Sequence, residues 1–312
     1  MKDRIIILGS NGQIGTELAI ALRAKHGVEQ VLTADIHVPQ GEKENFVQID
    51  VLDKPALRHL FDTFKPTQVY LLAALLSAVG EKHPTKAWDL NMNGLLNVLD
   101  LAVEYRVSRI FWPSSIAVFG PNSPKEDTPQ YCVMDPNTVY GISKLAGERW
   151  CEYYALKYGL DIRSIRYPGL ISWKAAPGGG TTDYAIDIFI EALKEQHYSC
   201  FLSSNARLPM LYMEDAIRGT IQLMETPKEK LRIKSSYNLT GISFTPEELA
   251  QEIQKHIPNF SITYDIDATR QAIADSWPDS INDTYAKADW NWTPKYSLEN
   301  MTTDMLKNLK NK

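Results

Sequence analysis

Residues 4–8, Arg-Ile-Ile-Ile-Leu, run directly into Gly9-Ser10-Asn11-Gly12-Gln13-Ile14-Gly15 and then into Thr16-Glu17-Leu18-Ala19-Ile20-Ala21-Leu22. A β-branched apolar run of that length reads as a buried parallel strand, and the segment after the glycines has helical composition and periodicity. Three glycines at a strand-to-helix turn let the backbone bend sharply and let a phosphate approach it closely. The helix N-terminus adds unpaired N–H groups and a positive dipole end. A second strand, residues 30–35, ends in Asp35, about 20 residues past the last glycine, where a carboxylate would accept from ribose hydroxyls. Strand, loop, helix, strand and acid in this order specify a dinucleotide-binding half-domain.

The alternation continues. Strands are predicted at 46–51, 69–74, 109–115 and 161–167, and helices at 53–64, 87–105 and 138–158. Asp53 is a cap candidate for the first of these helices, and Asp50 is a candidate partner for the adenine amino group. The pattern predicts an α/β fold with a doubly wound parallel sheet and the ligand at the carboxyl ends of its strands. The boundary expected is a nucleotide-binding domain over 1–170, with later segments returning to it, and a smaller substrate-binding cap over 171–312. A net charge of -5 argues against nucleic-acid or anionic-membrane partners. Three scattered cysteines suggest neither a disulfide framework nor a zinc site, so no metal is expected. No apolar run approaches membrane-spanning length, and a cytoplasmic location without a signal peptide is expected.

Tyr140-Gly141-Ile142-Ser143-Lys144 places a phenol and an ammonium on one face of the last predicted helix. A cation beside a phenol favours the phenolate, so the expectation is a tyrosine whose pKa falls toward neutrality and which can take a proton from an alcohol. Ser114 and Ser115 end the fifth strand, where a hydroxyl can bond a substrate oxygen. Asn91, in the helix before it, is read as a supporting residue that does not touch substrate. Small Ala73 and Ala74 would let a cofactor lie close to the fourth strand, and Ser77 and Gly80 follow in its loop.

Gly9-x-x-Gly12-x-x-Gly15, Asp35, Ala73-Ala74, Ser115 and Tyr140-x-x-x-Lys144 together resemble the extended short-chain dehydrogenase/reductase family over residues 1 to about 170. The resemblance implies a Rossmann domain, a nicotinamide cofactor and a catalytic trio of Ser115, Tyr140 and Lys144. Residues 113–121, 178–185, 275–281 and 289–294 are similar, as a set, to the short-chain L-threonine 3-dehydrogenases. That implies NAD-dependent oxidation of L-threonine to 2-amino-3-oxobutanoate, in a homodimer paired through the helices at 87–105 and 138–158. The product would lose carbon dioxide to give aminoacetone or pass to a partner, 2-amino-3-oxobutanoate CoA-ligase. The cofactor set expected on this reading is Gly9, Asn11, Gly12, Gln13, Ile14, Gly15, Asp35, Ile36, Asp50, Val51, Leu72, Ala73, Ala74, Tyr140, Lys144 and Tyr167. For substrate it is Ser77, Gly80, Ser114, Ser115, Tyr140, Gly180, Thr181 and Thr182. Gly178-Gly179-Gly180 is expected to form a mobile lid, and Asp183 to cap the following helix. The alternative is a sugar-nucleotide epimerase or dehydratase on the same scaffold. Against it, Ile116 and Ala117 stand where dehydratases place an acidic pair, although Arg207 falls where such enzymes often place an arginine.

Overall fold

The computed structural model describes residues 2–39, 44–174 and 178–311. Its strands are β1 (Ile5–Leu8), β2 (Val31–Asp35), β3 (Phe46–Gln48), β4 (Gln68–Leu71), β5 (Arg109–Phe111), β6 (Ser114–Ser115), β7 (Ile162–Arg163), β8 (Ile165–Tyr167), β9 (Gly169–Ile171), β10 (His197–Cys200), β11 (Leu208–Tyr212), β12 (Tyr237–Asn238), β13 (Ile242–Phe244) and β14 (Ser261–Tyr264). The helices are α1 (Gln13–His26), α2 (Lys54–Phe64), α3 (Ser77–Lys82), α4 (Pro84–Trp88), α5 (Gly94–Glu104), α6 (Val139–Tyr158), α7 (Tyr184–Lys194), α8 (Met213–Glu225), α9 (Pro246–Gln254), α10 (Ala268–Ser276), α11 (Thr284–Trp290) and α12 (Leu298–Lys310).

The central sheet has six parallel strands in the order β3-β2-β1-β4-β5-β7. The direction of winding reverses between β1 and β4, the topological switch point at which such sheets bind ligands. Side chains alternate along β1, and the two faces meet different layers. Ile5 and Ile7 pack with Leu18, Ala216 and Trp290, whereas Ile6 and Leu8 pack with Leu57, Leu99 and Cys151. Both faces are therefore covered, as a parallel sheet requires. A third cluster joins Ile116–Phe119 and Tyr140 to α7, α9 and α12, beyond the carboxyl ends of the strands.

Local chemistry sets the helix starts. The Asp53 carboxylate accepts from Ala56 N at 2.9 Å, and Thr138 Oγ1 accepts from Gly141 N at 3.0 Å at the head of α6. The helix predicted at 87–105 is present but carries a π-turn at Asp89–Asn93, between α4 and α5.

Two predicted strands are broken, each for a physical reason. The run 109–115 leaves the central sheet after Trp112, whose N–H makes a last bond to Arg163 O at 3.1 Å. Pro113 has no N–H to continue the ladder. The run 161–167 is interrupted at Ser164, whose hydroxyl pairs with that of Ser236 at 2.6 Å. Both chains then enter a second, three-stranded sheet in the order β12-β8-β6, with Ser114 opposite Arg166 and Ser115 opposite Tyr167. This small sheet carries Ser115 out toward α6. Among the described residues no helix is long and apolar enough to cross a membrane.

A cavity at the carboxyl ends of the strands as candidate active site

A cavity of about 510 Å³ opens above β1, β4 and β6. Its phosphate side is built by the glycine turn. Gly9 has φ 86°, and a Cβ there would lie 2.5 Å from Ala73 N; a Cβ on Gly15 would lie 2.4 Å from Gly9 O. Glycine at both positions is demanded by the turn itself. Gly12 differs, because its φ of -73° suits any residue and a Cβ would meet nothing nearer than Gly9 O at 3.6 Å. Gly12 lines the cavity, so a side chain there would compete with a ligand for space. No side chain caps α1, its first turn holds no acid, and the buried Gln13 Nε2 beside it has no partner. Unpaired donors around open space fit the pyrophosphate of a dinucleotide.

Asp35 organises this loop. Its Oδ2 accepts from Asn11 N at 2.9 Å and its Oδ1 from His37 N at 3.1 Å, which leaves a further lone pair on each oxygen for ribose hydroxyls. Ile14, Leu72, Ala74 and Tyr167 line the cavity with Gly9, Asn11, Gly12, Gln13 and Gly15. Asp35, Ile36, Asp50, Val51 and Ala73 are not among its lining residues. Asp50 Oδ1 accepts from Leu52 N at 2.9 Å in its own turn, and Val51 is buried against Gly94. Ala73 packs under Gly9, so its small size serves the turn. The Tyr167 hydroxyl pairs with Thr220, leaving other atoms of the residue to line the cavity.

Ser115, Tyr140 and Lys144, expected from the sequence to be catalytic, converge on this cavity from β6 and α6. Ser115 Oγ accepts from Ala117 N at 3.2 Å, and the Ser115 hydroxyl lies close enough to the Tyr140 phenol to favour its ionised form. Lys144 Nζ donates to Pro113 O at 2.6 Å and lies 4.5 Å from the centroid of the Trp112 ring and 5.6 Å from that of Tyr140. The expected lowering of the phenol pKa is not found in the protein alone. Burial pushes Tyr140 up to about 12, only partly offset by Ser115. Burial also pulls Lys144 down to about 7, with Cys151 and Glu148 opposing. Spacing placed the pair on one face, but removal from water penalises both charged forms.

Asn91, in the π-turn, is buried and ties this centre together. Its Oδ1 accepts from Leu75 N at 2.9 Å, and its Nδ2 donates to Leu75 O at 3.2 Å and Ser143 Oγ at 3.1 Å. The Ser143 hydroxyl in turn donates to Tyr140 O at 2.8 Å.

The opposite side of the cavity is shaped by β4, α3 and the segment before α7. Ser77, Ser115, Gly180, Thr181 and Thr182 line the cavity, and the Ser77 and Thr181 hydroxyls lie 3.4 Å apart. Gly80 does not line it and instead gives close packing space against Val139 and Ala87. Ser114 borders the cavity, but its hydroxyl donates to buried Glu148 at 2.6 Å and is not free for substrate. Asp183 does not cap α7 with its side chain. Its Oδ2 turns back to accept from Gly179 N at 2.8 Å and Gly180 N at 2.7 Å, because those two converging amides offer more than one helix N–H would. Burial raises the Asp183 pKa, and the two amides pull it back. Trp277 and Asp183 are lining residues that sequence reasoning did not count in the site. Arg207 lies elsewhere, donating to Ser243 O at 3.1 Å and paired with Glu248.

The topology and the cavity define a Rossmann-type, nucleotide-binding α/β protein. The chain belongs to the NAD dependent epimerase/dehydratase family, whose pattern matches residues 5–240. It is similar to a GalE-like L-threonine dehydrogenase from Cupriavidus necator in its holo form, with 54% identity, TM-score 0.95, and 98% and 99% of the two chains covered. An L-threonine dehydrogenase from Clostridium difficile is 45% identical, with TM-score 0.97 over 99% of this chain and 98% of that one. An uncharacterized epimerase/dehydratase of Staphylococcus haemolyticus is 46% identical over 314 aligned residues, 99% of this chain and 98% of the relative.

Proposed function

We propose that this protein is an NAD-dependent L-threonine 3-dehydrogenase, oxidising the β-hydroxyl of L-threonine to the ketone of 2-amino-3-oxobutanoate. The observation that carries the reading is the meeting of Ser115, Tyr140 and Lys144 in one cavity with Asp183, which is its sole carboxylate among the described residues. The similarity to L-threonine dehydrogenases along nearly the whole chain supports it.

NAD, when bound, supplies the hydride acceptor. Tyr140 as phenolate takes the hydroxyl proton, so that the C–O bond becomes a carbonyl as the C–H bond breaks. Ser115, one lone pair already occupied by Ala117 N, keeps its O–H for the reacting oxygen. Lys144 adds positive charge beneath the phenol and is held by Pro113 O. Asp183 Oδ2 is spent on the glycine amides, and its Oδ1 remains to receive the substrate ammonium. Ser77, Thr181 and Thr182 offer hydroxyls to the substrate carboxylate. A nucleoside diphosphate sugar would instead face a carboxylate, with Lys144 as the only cation lining the cavity among the described residues and Arg207 outside it. Mixing protein with NAD and L-threonine should give reduced cofactor by absorbance, and UDP-galactose should give none. In the same assay Asp183→Asn should raise the KM for threonine by about tenfold, the equivalent of ~1.4 kcal/mol. No threonine-dependent reduction, or an unchanged KM, would remove respectively the function or the role of Asp183.

Cofactor choice follows from Asp35. A carboxylate receives ribose hydroxyls but repels a 2′-phosphate, by about 4 kcal/mol for unit charges ~4 Å apart near a surface. We expect kcat/KM for NAD to exceed that for NADP by at least about tenfold, and Asp35→Ser to narrow the ratio. Equal efficiency with both cofactors in the parent protein would show this role to be wrong.

A further inference from the structure

We infer that Glu148 and Arg166, acting through Ser114, are positioning residues that set Ser115 against Tyr140; the inference rests on the alcohol oxidation proposed above. Tyr140, Lys144 and Glu148 recur at every fourth position of α6 and so share one face. The first two line the cavity, while Glu148 lies below it, fully buried at 0% exposure.

Both oxygens of its carboxylate are engaged, and the half-exposed Arg149 Nη2 stands 3.9 Å from Oε2. Oε1 accepts from Ser114 Oγ at 2.6 Å and from Arg166 Nε at 2.8 Å, and Oε2 accepts from Arg166 Nη2 at 2.8 Å. The remaining nitrogen, Arg166 Nη1, donates to Gln130 O at 2.9 Å and Asn238 Oδ1 at 3.0 Å. One carboxylate thus joins the helix that carries Tyr140 to all three strands of the small sheet, since Ser114 is on β6, Arg166 on β8 and Asn238 on β12.

The strand that needs this tie is short. β6 is two residues long and follows Pro113, which donates nothing to a ladder. Its two serines meet α6 at different levels: Ser115 beside the phenol of Tyr140 and Ser114 at Glu148, eight residues further along the helix. The bond made by Ser114 therefore fixes the height and rotation of Ser115 relative to α6. A buried ion pair is a weak source of stability compared with apolar packing of the same volume. What a bidentate pair supplies is fixed geometry, and a 1 Å misplacement of reacting groups can cost about 100-fold in rate.

Three variants test this, Ser114→Ala, Glu148→Gln and Glu148→Met, in the full-length protein with NAD and L-threonine. The readouts are kcat, both KM values, thermal midpoint, and the primary isotope effect with threonine deuterated at Cβ. Ser114→Ala should lower kcat about tenfold, less than the misplacement limit, with the KM for NAD unchanged and the isotope effect raised, because bond breaking becomes slower than product release. Glu148→Gln, which keeps an oxygen for the Ser114 proton, should lose less kcat than Glu148→Met. If the Glu148 variants fail to fold, Ser114→Ala decides alone. Parental kcat and isotope effect in Ser114→Ala would overturn the clamp and leave the proposed function standing. So would activity falling only in step with the folded fraction. Absence of threonine oxidation in the parent would remove the function and the clamp together.

Discussion

Tyr140→Phe is expected to keep its NAD affinity and to lose about 10²–10⁴-fold in kcat with L-threonine, the range that general-base catalysis supplies. The substitution removes one oxygen and leaves the ring in its packing with Ile116–Phe119 and α7. Ser115 keeps its bond from Ala117 N, so the loss falls on chemistry and spares folding. The pH profile carries an independent sign. The base works deprotonated and burial holds the phenol up to about 12, so kcat/KM should climb as pH rises from neutral into the alkaline range. Lys144 works against this, since it acts as a cation and burial brings it down to about 7. The cofactor's positive nicotinamide ring favours the phenolate by the same Coulomb logic. A flat profile from neutral to alkaline pH, or near-parental turnover in Tyr140→Phe, would take Tyr140 out of the mechanism.

Arg166→Met is expected to lower stability by about 3–5 kcal/mol, because it leaves the buried Glu148 carboxylate with no hydrogen-bonded cation and only the half-exposed Arg149 guanidinium 3.9 Å away. Both side chains are almost completely hidden, Glu148 at 0% and Arg166 at 1% exposure, so water cannot take the place of the guanidinium. The double variant Glu148→Met/Arg166→Met should recover most of that loss, since no charge is then stranded. Denaturant unfolding of parent, single and double variants measures this directly. A double variant no more stable than the single one would show that apolar misfit, and not an unpaired charge, dominates. The same double variant should still be a poor enzyme, because Ser114 then has no acceptor.

Much of the fold was legible because it depends on short-range periodicity. The strand, glycine turn and helix at 4–22, the acid at Asp35 and the alternation of strands and helices all follow from spacing within about 20 residues. The shared face of Tyr140 and Lys144 was legible for the same reason, and Glu148, one turn further on, could have been found by extending that count. Asn91 was read from the sequence as a supporting residue, but only its bonds to Leu75 and Ser143 show what it supports.

What the sequence by itself determined was which elements form and which side chains share a face, since helix and strand periods fix both. The tertiary structure alone decided what each side chain does. Ser114 and Ser115 are chemically identical neighbours, and only the pairing of β6 with β8 beside α6 sends one to Glu148 and the other to Tyr140. Asp183 stands where a helix cap belongs, yet the folded-back amides of Gly179 and Gly180 claim its carboxylate. The Tyr140–Lys144 spacing argues for a lowered phenol pKa, and burial by segments far away in sequence raises it instead. Burial and partner choice are sums over contacts that come from many parts of the chain, and no local window contains them.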